Sequence, residues 1–251
     1  MPSGKLDADI EKGPVRMKDF RVLREVAEGG PNVETEYELE RRYTPTRLLS
    51  AEELVLMPSR EIDQAYVKAL DTEGAWRSFR LRETRKLGPE GTLLRVAEKT
   101  KIENTRAKLE RQRKFKPEGR EGREFEQLWE RRDRNLDIVY KTRYYTPYTF
   151  TAPDGKQYEF EIHYDVHPTL KGFIRIEVEF KGSDPDEAER FLLENGHAGV
   201  LPDWVGEDIS DLHGFGGKDI ARSSKEITEA RMLSPNAKAL LAEVERQKKM
   251  V

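Results

Sequence analysis

Pairs of like charge recur two positions apart at four places in the sequence. The pairs are Glu38 with Glu40, Arg80 with Arg82, Lys141 with Arg143, and Glu177 with Glu179. On a β-strand, residues two positions apart point to the same face, and like charges on one face repel unless something neutralises them. A divalent cation between the acidic pairs and a polyanion against the basic pairs would neutralise both. The spacing therefore indicates metal and anion chemistry on one face of a sheet.

Five predicted strands must position these charges, and each carries an apolar face opposite its charged one. They lie at residues 36–43, 76–83, 139–145, 158–165 and 174–181. The last strand, for example, alternates Ile, Ile, Val and Phe with Arg, Glu, Glu and Lys. A sheet with one solvated face gives this alternation, and so does a barrel that encloses its charged face. The pattern alone leaves both open.

The composition excludes several other classes of protein. The chain has 251 residues, with 45 Lys and Arg against 48 Asp and Glu, a formal net charge of −3 and no cysteine. The lack of cysteine excludes a disulfide scaffold, a cysteine–zinc site and a thiol nucleophile. The charge balance excludes a simple basic nucleic-acid binder, and there is neither an apolar run of membrane-spanning length nor a signal-peptide core at the N-terminus. We expect a soluble, cytoplasmic protein without nucleic-acid or membrane partners.

The chain divides into three predicted segments. Residues 1–32 are expected to form a flexible arm with one short helix around Val15 to Val26. Residues 33–223 are expected to form the main domain, and residues 224–251 a helical tail broken near Pro235. Within the domain, the nearly wholly polar residues 103–122 are predicted to form a solvated insertion loop, followed by a strand at Glu124–Leu128. Ser50 with Glu53 predicts a capped helix start, and a second helix is predicted between Asp184 and Gly196. Strands dominate the middle and helices the ends, so the predicted class is α+β around an antiparallel sheet.

Eight motifs, in sequence order, resemble those of the CYTH superfamily, the triphosphate tunnel metalloenzymes. They are Glu38-x-Glu40-x-Arg42, Gln64-x-Tyr66, Arg80-x-Arg82, Arg123-Glu124-x-Glu126, Lys141-x-Arg143-Tyr144, Glu159-x-Glu161, Glu177-x-Glu179 and the closing segment 202–210. Each motif alone is weak, but their order over about residues 34–222 is specific. The family includes inorganic triphosphatases, thiamine triphosphatases and class IV adenylyl cyclases. The resemblance implies a closed antiparallel β-barrel, a tunnel with a charged interior flanked by helices.

The resemblance also implies the residues of a site. Those that would hold phosphate oxygens are Arg42, Arg80, Arg82, Lys99, Lys101, Lys141 and Arg143, with Lys99 and Lys101 as alternatives on one face of their strand. Those that would bind Mg²⁺ or Mn²⁺ are Glu38, Glu40, Glu177 and Glu179. A second set would bind another ion, orient water or balance the basic strands, and it consists of Glu124, Glu126, Glu159 and Glu161. Lys141 and Glu161 are the predicted catalytic residues, with a carboxylate accepting the proton of the attacking water.

The sequence departs from the family pattern at several positions. Arg42 stands where the family has Lys, which keeps the charge but offers a planar fork. Glu161 replaces an Asp, which moves the carboxylate one methylene farther from the strand. The polar segment 103–122 is absent from the pattern, and residues 214–217 replace an Arg-Tyr-x-Asn segment. The last of these changes alters the closing lid that the resemblance implies.

The expected activity is metal-dependent hydrolysis of a small-molecule triphosphate, either inorganic tripolyphosphate or a nucleoside triphosphate. Two alternatives are an adenylyl cyclase that makes cyclic AMP and pyrophosphate, and a non-catalytic polyphosphate-binding module. Cyclases of the family carry His-Phe before the first motif, where this chain has Pro31-Asn32-Val33-Glu34, so hydrolysis is favoured. The acidic pairs disfavour a pure binding module, because a polyanion alone would not need them. The oligomeric state stays open, a homodimer included.

Overall fold

The computed structural model describes residues 13–86, 91–103, 105–229 and 232–250, and within them lie ten strands and six helices. The strands are β1 (Glu34–Glu38), β2 (Glu40–Pro45), β3 (Ser59–Leu70), β4 (Trp76–Lys86), β5 (Thr92–Lys101), β6 (Lys108–Phe115), β7 (Val139–Thr151), β8 (Gln157–His167), β9 (Phe173–Phe180) and β10 (Val205–Asp208). The helices are α1 (Arg21–Glu28), α2 (Ala51–Val55), α3 (Arg120–Glu130), α4 (Pro185–Asn195), α5 (Gly217–Thr228) and α6 (Pro235–Lys248). No described helix is both long enough and apolar enough to cross a membrane.

All ten strands belong to one sheet, in the order β1-β6-β5-β4-β3-β7-β8-β9-β2-β10, and neighbouring strands run antiparallel. The α+β class is therefore confirmed. In the described part of the chain, no hydrogen-bonded ladder joins β1 to β10, so a closed barrel is not confirmed.

The predicted single strand over residues 33–43 is divided between two ladders. Its first half, β1, pairs with β6, and its second half, β2, pairs with β9. Only Leu39 separates the two halves along the chain. Because β1 and β2 belong to opposite ends of the sheet, the sheet must curl to bring those ends together.

Local signals place the helix starts as predicted. At α2, the backbone N–H of Glu53 donates to Ser50 Oγ, and the Ser50 N–H donates to the Glu53 carboxylate at 2.8 Å, which is a complete capping box. Asp184 caps α4 by accepting from the Glu187 N–H at 2.9 Å. Helices α5 and α6 confirm the break before Pro235, although α5 already begins at Gly217, seven positions before the predicted tail. Ala230, Arg231 and Val251 of that tail lie outside the described residues.

The hydrophobic core lies between the helices and the apolar face of the sheet. In β9, Ile176, Val178 and Phe180 are buried together with Ala188 and Leu192 of α4. Each such side chain stabilises the fold by about 1.5–3 kcal/mol through burial. The charged positions of the same strands consequently face the opposite side of the sheet.

Residues 15–27, predicted as part of a flexible arm, are packed against the sheet. Val22, Leu23 and Val26 of α1 are at most 1% exposed and share a core with side chains of β3, β4 and β5. The short helix predicted between Val15 and Val26 is confirmed as α1, although it begins later, at Arg21. Residues 1–12 of the predicted arm lie outside the described residues.

The predictions for residues 103–128 were wrong. Within the supposed insertion loop, Lys108–Phe115 forms β6, which pairs with both β1 and β5. The supposed strand Glu124–Leu128 lies in helix α3, where Gly122, Phe125 and Leu128 are buried at three-residue spacing. Asn104 lies outside the described residues.

The alternation was missed in β6 because the two central positions of its outward face carry charged residues. Its outward Arg113 forms an ion pair with Glu25 of α1, and Arg111 donates to the Ala27 carbonyl at 2.8 Å. An arginine therefore occupies a position where the pattern requires an apolar residue.

Candidate functional site

The charged face of the sheet encloses a cavity of about 620 Å³. Of the described residues, fourteen basic and seven acidic side chains line it. The basic ones are Arg42, Arg60, Arg80, Arg82, Arg95, Lys99, Lys101, Lys108, Lys114, Lys141, Arg143, Arg175, Lys181 and Lys218. The acidic ones are Glu36, Glu38, Glu40, Glu161, Glu177, Glu179 and Asp219. The excess of positive charge suits an anionic ligand.

Most of the residues predicted for the site line this cavity. They are Glu38, Glu40, Arg42, Arg80, Arg82, Lys99, Lys101, Lys141, Arg143, Glu161, Glu177 and Glu179. The phosphate-binding, metal-binding and catalytic roles of these residues remain predictions.

A second cavity of about 620 Å³ lies between residues 13–15, Lys68, Trp76 and residues 130–135, and none of its described lining residues was predicted for the site.

Glu124 and Glu126 do not reach the cavity, because they lie on α3 rather than on a strand. Glu124 accepts hydrogen bonds from the Val22 N–H and from Arg120, each at 3.0 Å. Glu126 is exposed to solvent. The motif in Arg123–Glu126 was therefore a chance match, and these two residues are not candidates for a second metal ion.

Strand β6, which was predicted as part of a loop, places Lys108, Gln112 and Lys114 on the wall of the cavity. On the same face, the side chain of Glu110 is fully buried against Arg80 and Lys99. The period-two spacing of these four polar residues was a signal that the sequence contained. Arg95, Arg175 and Asp165 were also missed, although they share faces with predicted residues on β5, β9 and β8.

Lys99 connects the acidic residues of β1 and β6. It forms an ion pair with Glu38 and lies 3.1 Å from the carboxylate of Glu110, whereas Lys101 is exposed, so the structure distinguishes the two lysines. Burial raises the pKa of Glu38 to about 7 despite Lys99. Burial also opposes ionisation of Glu110, but Arg80 and Lys99 outweigh it and lower the pKa of that carboxyl. Glu38 is thus a carboxylate with too little positive charge around it.

Lys141 and Arg143 share one buried carboxylate on β8. Asp165, which is fully buried, accepts from Lys141 Nζ at 2.5 Å and from Arg143 Nε at 2.6 Å. Glu177 contacts Arg143 and lies 2.6 Å from Arg175. Burial and the neighbouring Arg143 lower the pKa of Lys141 to about 7, in spite of these acids.

Arg82 and Arg95 line the cavity without an ion pair to any acid among the described residues. The Nε atoms of both have no hydrogen-bond partner among the described residues, and Arg82 Nη2 donates only to the amide oxygen of Gln64, at 3.2 Å. Burial, followed by repulsion from Arg80, lowers the pKa of Arg82 to about 9. The same two causes lower the pKa of Arg95. These guanidinium groups can therefore donate hydrogen bonds to a bound anion.

The N-terminal end of helix α5 forms one wall of the cavity. Gly216 and Gly217 line it, and Lys218 donates to Ser78 of β4 at 3.2 Å. A Cβ atom on Gly217 would lie 2.9 Å from Tyr66 Oη, so a larger residue here would force the Tyr66 side chain or the helix end to shift. Gly216 and Gly217 thus bring the N-terminal backbone of α5, a favourable position for an anion, to the wall of the cavity.

Glu161, His163 and Glu179 form a cluster on β8 and β9 that could hold a metal ion. One donor atom from each residue lies within 4.8 Å of the others. Two carboxylates suit Mg²⁺ or Mn²⁺, while an imidazole also suits transition metals. Glu38 and Glu40 provide further carboxylates in the same cavity, and a cation there would relieve the desolvation of Glu38. The donor set therefore fits a divalent ion, without fixing which one.

Comparison with known proteins adds little to this picture. No family model matches the sequence, and no curated protein matches it. One solved structure, a "putative adenylate cyclase" from Bacillus halodurans, is similar over 71% of this chain and 98% of that one, with 13% sequence identity and a TM-score of 0.34. A likeness of that size establishes neither the fold nor the activity of this chain.

Proposed function

We propose that the protein is a metal-dependent phosphohydrolase that acts on triphosphate substrates, with inorganic tripolyphosphate favoured over a nucleoside triphosphate. The observation that carries the proposal is the enclosed cavity, in which basic residues outnumber acidic ones by two to one and the acids are still grouped in pairs. The basic excess supports a polyanionic substrate, and the acidic pairs support a metal ion beside it.

Phosphoryl transfer depends mainly on holding the substrate and neutralising charge that spreads over its oxygens. Arg80, Arg82 and Arg95 offer forked guanidinium groups for this purpose, and Lys99 and Lys141 offer point contacts. Arg82 and Arg95 supply the strongest support, since burial leaves them short of compensating acids. A triphosphate bound against them would replace the water lost on folding.

The acidic residues would hold the divalent ion. Glu38 at the end of β1 and Glu40 at the start of β2 line the cavity. Glu177 and Glu179 line it from β9, which pairs with β2 so that Glu179 lies opposite Glu40. A bound Mg²⁺ or Mn²⁺ would supply charge neutralisation at the phosphate and a lowered pKa for a coordinated water.

The chain's own residues would then bind and move protons. Glu161 reaches the cavity with its side chain about 40% exposed, and its pKa is lowered, first by the hydrogen bond from His163, so it is ionised and able to accept a proton from water. Lys141 would bind a phosphate oxygen, which also supplies the negative charge that favours its protonated form.

The cavity offers little to a nucleoside. Apart from the buried His163, only Tyr66 and Tyr145 have aromatic rings among its described lining residues, and Arg60 already covers the Tyr145 ring at 4.9 Å. A base would have few flat apolar surfaces on which to stack. This supports inorganic tripolyphosphate over ATP as substrate.

The test is to incubate the protein with tripolyphosphate, ATP or thiamine triphosphate and either Mg²⁺ or Mn²⁺, and to measure phosphate and cyclic AMP. We expect phosphate release from tripolyphosphate that Glu38→Gln reduces by at least about 100-fold, as for loss of a charge-stabilising group. Glu126→Gln is the matched control, since Glu126 belongs to a similar motif but lies on α3, and it should retain full activity.

The other outcomes are equally informative. Cyclic AMP as the main product would replace hydrolysis by the cyclase reaction. Binding of tripolyphosphate without turnover, with either metal, would leave only a polyphosphate-binding module. If the folded Glu38→Gln variant keeps its activity, the acidic pairs are not needed for hydrolysis.

A further inference from the structure

His163 lies on β8 between a phosphate-binding arginine and the carboxylate predicted to accept the proton. The side chain is buried, with 2% of the residue exposed. Its Nδ1 atom lies 2.9 Å from Arg143 Nη1, and its Nε2 atom lies 2.6 Å from Glu161 Oε1. The Tyr145 ring meets the imidazole edge-on with centroids 5.0 Å apart, which fixes the plane of the imidazole ring.

The chemistry of the partners determines which ring nitrogen carries the proton. A guanidinium group has only donors, so His163 Nδ1 must accept from Arg143. In a ring that accepts at Nδ1, the proton is on Nε2, and Nε2 therefore donates to the Glu161 carboxylate. The three side chains form one directed chain of hydrogen bonds, from Arg143 through His163 to Glu161.

We propose that His163 is a positioning residue, which fixes the Glu161 carboxylate relative to the phosphate-binding guanidinium of Arg143. Arg143 is itself anchored by Asp165 and Glu177, so the chain starts from a rigid point. Glu161, by contrast, is partly exposed, and without His163 its carboxylate would be free to rotate. The role rests on the proposed function, because it matters only if Glu161 accepts a proton from water.

The rival role for His163 is that of a metal ligand, with Glu161 and Glu179. Both ring nitrogens already have partners, so ligation would require His163 to give up either Arg143 or the Nε2 proton. Glu179 Oε1 lies 3.5 Å from Nδ1, on the side already used by Arg143. The observed contacts therefore favour positioning over ligation.

The kinetic test compares two substitutions of His163 in tripolyphosphate hydrolysis. His163→Leu removes both hydrogen bonds, and kcat should fall on the order of 10- to 100-fold, as for misplacement of a catalytic group. His163→Gln keeps an N–H donor at the Nε2 end and should recover most of the loss. His213→Gln, at an exposed histidine outside the cavity, is the control and should not change kcat.

A double-mutant cycle separates positioning from a general structural effect. If His163 acts through Glu161, His163→Leu should cost almost nothing further in a Glu161→Gln background. Multiplicative losses from the two substitutions, in variants that unfold at the wild-type temperature, would overturn the proposal. Equal losses in His163→Gln and His163→Leu would also overturn it.

A spectroscopic test needs no activity. In protein labelled with ¹⁵N-histidine, the His163 signals, assigned by their absence in His163→Gln, should show the Nε2–H tautomer, unchanged by Mg²⁺ or Zn²⁺. The Nδ1–H tautomer, or replacement of the Nε2 proton by Zn²⁺, would refute positioning. If no triphosphate is hydrolysed, the proposed function fails, while this measurement still decides whether His163 holds Glu161.

Discussion

Lys141 is a residue whose charge should depend on what the cavity contains. Burial and Arg143 lower its pKa to about 7, so at pH 8 most molecules of the free protein carry a neutral amine there. A bound polyanion favours the ammonium form and raises this pKa. Binding of tripolyphosphate at pH 8 should therefore take up protons from the buffer, and a Lys141→Met variant should take up fewer.

The measurement is isothermal titration calorimetry in buffers of different ionisation enthalpy, without metal. The difference in proton uptake between wild type and variant should be largest between about pH 7 and 9 and should vanish at pH 5.5, where Lys141 is already protonated. An identical uptake in both proteins at pH 8 would show that Lys141 is charged before the anion arrives.

Glu177 is expected to contribute more to stability than its neighbour two positions on. Its buried carboxylate compensates Arg143 and Arg175, so Glu177→Gln leaves two buried guanidinium groups with less opposing charge. We expect a loss of about 3–5 kcal/mol in the free energy of unfolding. Glu179→Gln, whose partner Lys181 is largely exposed, should cost about 1 kcal/mol or less. Urea unfolding of both variants measures the difference, and equal losses would contradict it.

At the scale of single residues, side-chain parity was the reliable signal in the sequence. It placed residues such as Glu38, Arg82 and Lys141 on the charged face, because alternation follows directly from strand geometry. Partners across the sheet were not accessible in the same way. That Asp165 compensates Lys141, or that Glu110 compensates Arg80, depends on which strands pair and in which register, and one sequence does not reveal this.

At the scale of elements, the sequence predicted the strands that have one apolar face and missed the strand whose outward face carries arginines. The strand β6 was read as a loop because its outward Arg111 and Arg113 are satisfied by α1, a contact between residues more than eighty positions apart. Helix α3 was read as a strand because a short motif was given more weight than the buried residues at helical spacing, Phe125 and Leu128. Tertiary contacts therefore outweighed the local pattern in β6, whereas in α3 the local pattern was helical and the motif match was misleading.

The position of the N-terminal end of α5 is expected to influence the affinity for tripolyphosphate. The Cβ atom of Gly217→Ala would lie 2.9 Å from Tyr66 Oη and 3.2 Å from Gln64 Nε2, so these side chains or the helix end must shift. We expect the affinity for tripolyphosphate to fall roughly tenfold, or about 1.4 kcal/mol, with little change in the unfolding temperature. Calorimetric titration measures the affinity.

Tyr66→Phe in the same chain tests the cause of that loss. It removes the nearer of the two obstructing atoms and should restore part of the affinity of Gly217→Ala, while Tyr66→Phe alone reports the cost of losing the 2.7 Å hydrogen bond from Gln64. Wild-type affinity in Gly217→Ala would mean that the position of α5 does not influence anion binding.

At the scale of the whole molecule, the net charge conceals an uneven distribution. The chain carries a formal charge of −3, yet its cavity has twice as many basic as acidic side chains, so the remainder of the chain is acidic. Composition reveals the total number of charges but not which face they occupy. Folding gathers like charges against their mutual repulsion, which costs stability in the absence of a ligand.

Much of this loss of stability is expected to arise at Arg82. Replacing Arg82 should therefore make the free protein more stable and weaken its binding of tripolyphosphate. Arg82 is buried, its pKa is lowered to about 9 by desolvation and by Arg80, and its hydrogen bonds to the described residues leave Nε unpaired. Arg82→Met should raise the free energy of unfolding at pH 7 by about 1–4 kcal/mol, because it removes an uncompensated buried cation. The same variant should lose much of the thermal stabilisation that tripolyphosphate gives to the wild type, since that stabilisation follows from ligand affinity.

Arg85→Met, on the other face of the same strand, is the matched control for this experiment. Arg85 is paired with Glu61, Asp63 and Glu83, so its loss should lower stability slightly and leave the tripolyphosphate effect unchanged. Urea unfolding and thermal melts with and without tripolyphosphate measure both quantities. If Arg82→Met instead destabilises the free protein, the buried charge of Arg82 does not lower the stability of the free protein. If it then still melts higher with tripolyphosphate by the wild-type amount, Arg82 does not contact the anion.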